Sequence, residues 1–76
     1  MNQKEDARIR ESIRKRLIQC RTEYDLTQAD VGRVIGKSKN AVASWEQGLS
    51  LPDIVTLYHL SIYYEKSLEF MMGEEE

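Results

Sequence analysis

Two short stretches with helical spacing are separated by only three residues, and this constrains the fold more than any other feature of the chain. The first stretch is Gln28 to Ile35, with Val31, Val34 and Ile35 apolar. The second runs from Lys39 to about Gln47, with Val42 and Trp45 three apart. Gly36, Lys37 and Ser38 lie between them. Each stretch carries its own punctuation. Thr27 reads as an N-cap whose hydroxyl accepts from an N–H of the following turn. Asp30 stands three residues on, near the positive end of the same helix. Gly36 supplies a left-handed stop, Ser38 caps the next helix, and Gly48 ends it. So short a connection forces the two helices to cross closely. Gly32 fits that demand. Glycine inside a helix costs ~1 kcal/mol relative to alanine, so its presence argues that the backbones approach there.

The rest of the chain also reads as helix. Residues 5–22 place Ile9, Ile13, Leu17 and Cys20 on one face. Thr22 to Asp25 ends that helix, and Asp25 tolerates the left-handed conformation better than most side chains. Pro52 and Asp53 open a fourth helix, with Asp53 as cap and Ile54, Leu57, Leu60, Ser61 and Tyr64 as its inner face. His59 falls on the polar side. Ser67 caps a last short helix containing Leu68, Met71 and Met72. The chain has only four glycines and one proline, and no strand-length alternation of β-branched residues. An all-α fold follows. At 76 residues, roughly 60–65% of the unfolded surface can be buried, enough for one modest core. The expectation is a single domain over 1–76, its core about 9–73, with 74–76 a frayed acidic tail.

Several function classes are disfavoured. One cysteine, Cys20, gives no intramolecular disulfide, and with one histidine, His59, a His/Cys zinc site is not expected. Cys20 reads as a small core filler. No apolar run reaches the ~18 residues of a membrane span, and the first ten residues hold no apolar signal segment. The expected compartment is the cytoplasm. Neither a Gly-rich phosphate loop nor a nucleophile–base pair is present, so no enzyme and no cofactor is expected. Net charge is −2, which alone argues weakly against a polyanion partner. Its distribution argues the other way: residues 1–40 carry a net +4 and residues 41–76 a net −6. A molecule so polarised can turn one face to a polyanion and the other away.

The unit at 27–46 is a helix-turn-helix pattern. Val42 and Trp45 anchor the second helix, while Lys39, Asn40, Ala43, Ser44 and Gln47 form its outward face. With Leu17, Arg21, Leu26-Thr27-Gln28, Val31-Gly32, Ile35-Gly36, Ser38, Val42, Trp45-Glu46, Gly48, Pro52, Leu57, Leu60 and Ser67-Leu68, the chain resembles the phage-repressor type of helix-turn-helix, often called Xre or Cro-like. The resemblance spans Ile13 to Gly73. It implies a compact five-helix bundle of the lambda-repressor-like type, with the DNA-reading unit in helices 2 and 3. It also implies a phosphate contact from Gln28, base contacts from Lys39, Asn40, Ala43 and Ser44, and an Arg21–Glu46 ion pair. The side-chain chemistry suits those roles. Asn pairs bidentately with adenine, Lys reaches guanine O6 and N7, Ser pairs with either, and Ala meets the thymine methyl. Arg33, Lys37, Ser38 and Gln47 flank the unit as further phosphate contacts. The chain departs from the pattern at Asp25, Gly32 and the Glu65-Lys66 turn, outside the reading helix.

Tyr58, Tyr63 and Phe70 have no evident inner slot and are expected to form a dimer surface. The expected function is a sequence-specific transcriptional regulator, a repressor, binding double-stranded DNA as a homodimer on a palindromic operator with half-sites ~34 Å apart. No second domain is seen to house a small-molecule effector. The rival is an antitoxin-like or protein-interaction module, which the acidic end and the surplus aromatics keep in view.

Overall fold

The computed structural model describes residues 2–75, and among these all regular structure is helical. The helices are α1 (Gln3–Glu23), α2 (Gln28–Ile35), α3 (Lys39–Glu46), α4 (Ile54–Tyr63) and α5 (Leu68–Met71). The fold is a compact five-helix bundle of the lambda-repressor-like type. Helix α1 begins two residues earlier than its apolar spacing indicates, because the Glu5 N–H donates to Asn2 Oδ1 at 2.8 Å and so caps the first turn. It ends where Asp25 turns left-handed, at φ 56°.

One apolar core joins every helix. Ile13, Leu17 and Cys20 come from α1, Val31 from α2, and Val42 and Trp45 from α3. Leu57 and Leu60 come from α4, Tyr64 from its end, and Phe70 and Met71 from α5. Among the described residues, no buried side-chain nitrogen or oxygen lacks a hydrogen-bond partner. Burial pushes both the Cys20 thiol and the Tyr64 phenol above their ordinary ranges, so each is a neutral core group at physiological pH.

The structure corrects the sequence reading at Phe70 and Ile54. Phe70, expected on a dimer surface, is buried. Helix α5 lies in the angle between α1 and α4, so two adjacent positions, Phe70 and Met71, both meet core. The Arg16 guanidinium sits 4.0 Å from the Phe70 ring centroid and Lys66 Nζ 4.8 Å, closing the ring off from solvent. Ile54, expected inside, is 60% exposed. The inner face of α4 is centred on Leu60 and flanked by Thr56, which rolls Ile54 outward. The α4–α5 turn lacks glycine yet is regular. Glu65 itself takes the left-handed conformation at φ 57°, and the Lys66 N–H donates to Ser61 O at 2.8 Å. Beyond α5, Glu74 and Glu75 contact α1 and the start of α5. Arg8 Nη2 meets Glu74 Oε1 at 2.5 Å, and Glu75 accepts from Ser67 Oγ and, through its backbone carbonyl, from Arg16. Glu76, the last residue of the expected tail, lies outside the described residues.

Helices α2 and α3 cross at Gly32. A Cβ built there would stand 2.5 Å from the Lys37 carbonyl oxygen, a backbone atom that cannot swing aside. Gly32→Val is therefore expected to destabilise the fold by about 1–3 kcal/mol, the usual cost of overpacking. Thermal unfolding measured by circular dichroism checks this. An unchanged midpoint would mean that the α2–α3 crossing opens freely.

Candidate nucleic-acid interface

The local sequence builds the α2–turn–α3 unit from its ends inward. At the start of α2 the cap is reciprocal: the Asp30 N–H donates to Thr27 Oγ1 at 3.0 Å and the Thr27 N–H to Asp30 Oδ2 at 2.8 Å. Those bonds, led by the Thr27 backbone N–H, hold the Asp30 carboxyl below its usual pKa. At the turn, Gly36 takes φ 70°, and the Lys37 N–H returns to Gly32 O at 2.8 Å. Ser38 then caps α3 by accepting from the Ala41 N–H at 3.0 Å. Each cap satisfies helix-end donors that would otherwise need water.

Helix α3 divides cleanly. Val42, Trp45 and Glu46 are buried. Lys39, Asn40 and Gln47 are exposed, and Ala43 and Ser44 half-buried. At 3.6 residues per turn these five outward residues share an arc of about 140°. The Ser44 and Ser50 hydroxyls share a hydrogen bond of 2.7 Å, which ties the outward face to the following loop.

A polar network anchors this helix from behind. Arg21 Nε donates to Glu46 Oε2 at 2.7 Å and Arg21 Nη2 to Glu46 Oε1 at 2.9 Å, while Arg21 Nη1 reaches Leu26 O at 2.9 Å. The Glu46 side chain is 6% exposed and that of Arg21 18%. Gln28 Nε2 donates to the same Glu46 Oε1 at 3.0 Å. One carboxylate thus joins α1, α2 and α3. The Gln28–Glu46 bond has no signature in the sequence, since eighteen residues separate the partners. It uses one of the two amide N–H groups of Gln28 and leaves the other for an outside acceptor.

The structure also sorts the cations. Arg8, Arg10, Arg14 and Lys15 on α1 each meet a nearby carboxylate, and Arg33 meets Asp30 on its own helix. Lys37 and Lys39 have no carboxylate within 4.0 Å among the described residues. Both lie at the turn and the start of α3. On α1, Lys4 and Arg16 likewise have no carboxylate within 4.0 Å among the described residues, so the unpaired positive charge of the first forty residues is divided between α1 and the helix-turn-helix. Beside Lys39, an open concavity of about 680 Å³ is floored by Thr27, Gln28 and Ala29 at the start of α2. Of the expected contact residues, Lys37, Ser38, Lys39, Asn40, Ala43, Ser44, Gln47 and Gln28 lie along this unit. Arg33 is exposed but committed to Asp30. Tyr58 and Tyr63 lie elsewhere, on and at the end of α4.

Among the described residues no cluster of three or more His, Cys, Asp or Glu side chains is placed to hold a metal ion. Among the described residues no helix is long and apolar enough to cross a membrane. The sequence model of a family described as helix-turn-helix matches residues 17–71. Searches of curated proteins and of solved structures give no match.

Proposed function

Since the chain belongs to the helix-turn-helix family of DNA-binding regulators, we propose that it is a sequence-specific repressor that binds a palindromic operator as a homodimer in the cytoplasm. Helix α3 enters the major groove with Lys39, Asn40, Ala43 and Ser44 towards the base edges. Gln28, Lys37, Ser38 and Gln47 contact phosphates and fix the register, with Arg33 joining them only by leaving Asp30. Phosphate contacts position the protein, and base contacts specify the sequence. Repression follows by occluding polymerase, without a small-molecule effector.

One observation carries this reading. The outward arc of α3 stands beside Lys37 and Lys39, neither of which has a carboxylate within 4.0 Å among the described residues, on a helix held from behind by the Arg21–Glu46–Gln28 network. A rigid reading face with unneutralised charge at its leading end is what a polyanion with readable edges requires. The test is selection of binding sites from a random duplex library with purified protein at moderate salt. A palindrome is expected to enrich. A lone half-site would remove the dimer and keep DNA binding. No enrichment from folded protein would overturn the reading.

A further inference from the structure

The loop after α3 folds back against the outward side of that helix and brings one hydroxyl to another. Gly48 takes the left-handed conformation at φ 78°. The turn lets the Leu49 N–H donate to Ser44 O at 3.0 Å and the Gly48 N–H to Trp45 O at 3.2 Å, the paired closing bonds of a glycine-ended helix. Beyond Ser50, Pro52 is buried, and Asp53 caps α4 by accepting from the Thr56 N–H at 2.8 Å. Ser50 is thus held from both sides, and its Oγ stands 2.7 Å from Ser44 Oγ. A serine or threonine within a helix often returns its proton to the carbonyl four residues back, as Thr22 does to Ile18 O at 2.6 Å. Ser44 instead has Ser50 as its side-chain partner among the described residues.

We propose that Ser50 determines specificity at the DNA interface, by fixing the direction of the Ser44 hydroxyl and so the base edge that Ser44 prefers. The inference rests on the DNA-binding reading above and deepens it. A free serine hydroxyl has one proton and two lone pairs and rotates to suit its partner, so it pairs with donor and acceptor edges alike. A hydroxyl tied to a second one loses that freedom. Of the two protons in the pair, one lies in the shared bond and one is left over. The shared bond also polarises the remaining proton and lone pairs. The two hydroxyls therefore meet the groove as one oriented group, with a narrower choice of base than Ser44 has alone. Ser50 acts through Ser44 and is a positioning residue. Neither side chain is charged, so the pair adds nothing to counterion release.

The experiment is site selection from a random duplex library with the full chain. It compares wild type with Ser44→Ala, Ser50→Ala, Ser50→Thr and the double variant Ser44→Ala/Ser50→Ala, each checked for folding by circular-dichroism melts. Ser44→Ala is expected to lose the wild-type preference at one base pair per half-site. Ser50→Ala should flatten the preference at that same base pair by about 2- to 12-fold per half-site, the range for one neutral hydrogen bond. Preferences elsewhere, affinity for random duplex and the salt slope should stay as in wild type, a pattern that general loosening of the loop does not produce. Ser50→Thr keeps the hydroxyl and should restore the preference, and the double variant should behave as Ser44→Ala does. Unchanged preference in Ser50→Ala or in Ser44→Ala would overturn the proposal, and so would failure of Ser50→Thr to restore it. A further loss in the double variant would also overturn it, because Ser50 would then act on DNA by itself. A wild type that enriches no duplex removes the DNA-binding reading and this proposal with it. A wild type that enriches one, with its preferences intact in Ser50→Ala, removes this proposal alone.

Discussion

Arg21→Met is expected to cost about 3–5 kcal/mol of folding stability, because it leaves the Glu46 carboxylate buried and without its cation. For a chain of this length that is a large share of a total on the order of 4–11 kcal/mol. The geometry sets the size. Arg21 holds Glu46 through two parallel bonds of 2.7 and 2.9 Å, and the Glu46 side chain is only 6% exposed. Urea denaturation with unchanged m-value measures the loss. The double variant Arg21→Met/Glu46→Leu should recover much of it, since an apolar pair escapes the desolvation that the ion pair bears. Recovery should be incomplete, because Gln28 loses its acceptor. A loss below about 1 kcal/mol for Arg21→Met would mean that the pair behaves as a surface salt bridge. In that case the rear anchor of α3 lies elsewhere.

Asn40→Ala is expected to weaken binding to the selected operator by about 30- to 20,000-fold while leaving binding to random duplex unchanged. The range follows from ~1–3 kcal/mol for one bidentate base contact, lost once in each of two half-sites. Discrimination should vanish at one base pair per half-site and persist at the others. Lys37→Ala is the contrasting variant. It should weaken all sequences alike and lower the salt slope by about 0.9 per subunit, one counterion-releasing contact each. Fluorescence anisotropy titrations at several salt concentrations separate the two patterns. If Asn40→Ala changes neither affinity nor preference, α3 is not the reading helix.

Much of this arrangement is legible in the chain because it is local. Thr27, Ser38, Asp53 and Ser67 each accept from a backbone N–H three residues on, so the starts of four helices can be read from residue types alone. Gly36 stops α2 for a reason equally local, its left-handed φ of 70°. The outward set on α3 follows from helical period once Val42 and Trp45 are recognised as anchors. The Arg21–Glu46 pair is different: periodicity says nothing about it, and only the family resemblance implies it.

What could not be read depends on which faces meet. Ile54 and Phe70 carry the same apolar character in the sequence, yet Ile54 is exposed and Phe70 buried. Composition gives each a reason to be buried but not a neighbour to be buried against. Likewise the sum of charges places +4 in the first forty residues but not where it stays open. Only the packed structure shows that Arg8, Arg10, Arg14 and Lys15 meet carboxylates while Lys4, Arg16, Lys37 and Lys39 have none within 4.0 Å among the described residues. The sequence by itself determined the helices, their caps, the tight turn and the residues along the outward side of α3, because backbone hydrogen bonding and the 3.6-residue period act over a few residues. Tertiary structure alone decided that Glu46 binds Gln28 as well as Arg21, that the acidic end folds back onto α1, and that one side of α4 is left apolar and uncovered. Those outcomes are set by contacts between residues far apart in the chain, whose geometry exists only once the helices have packed.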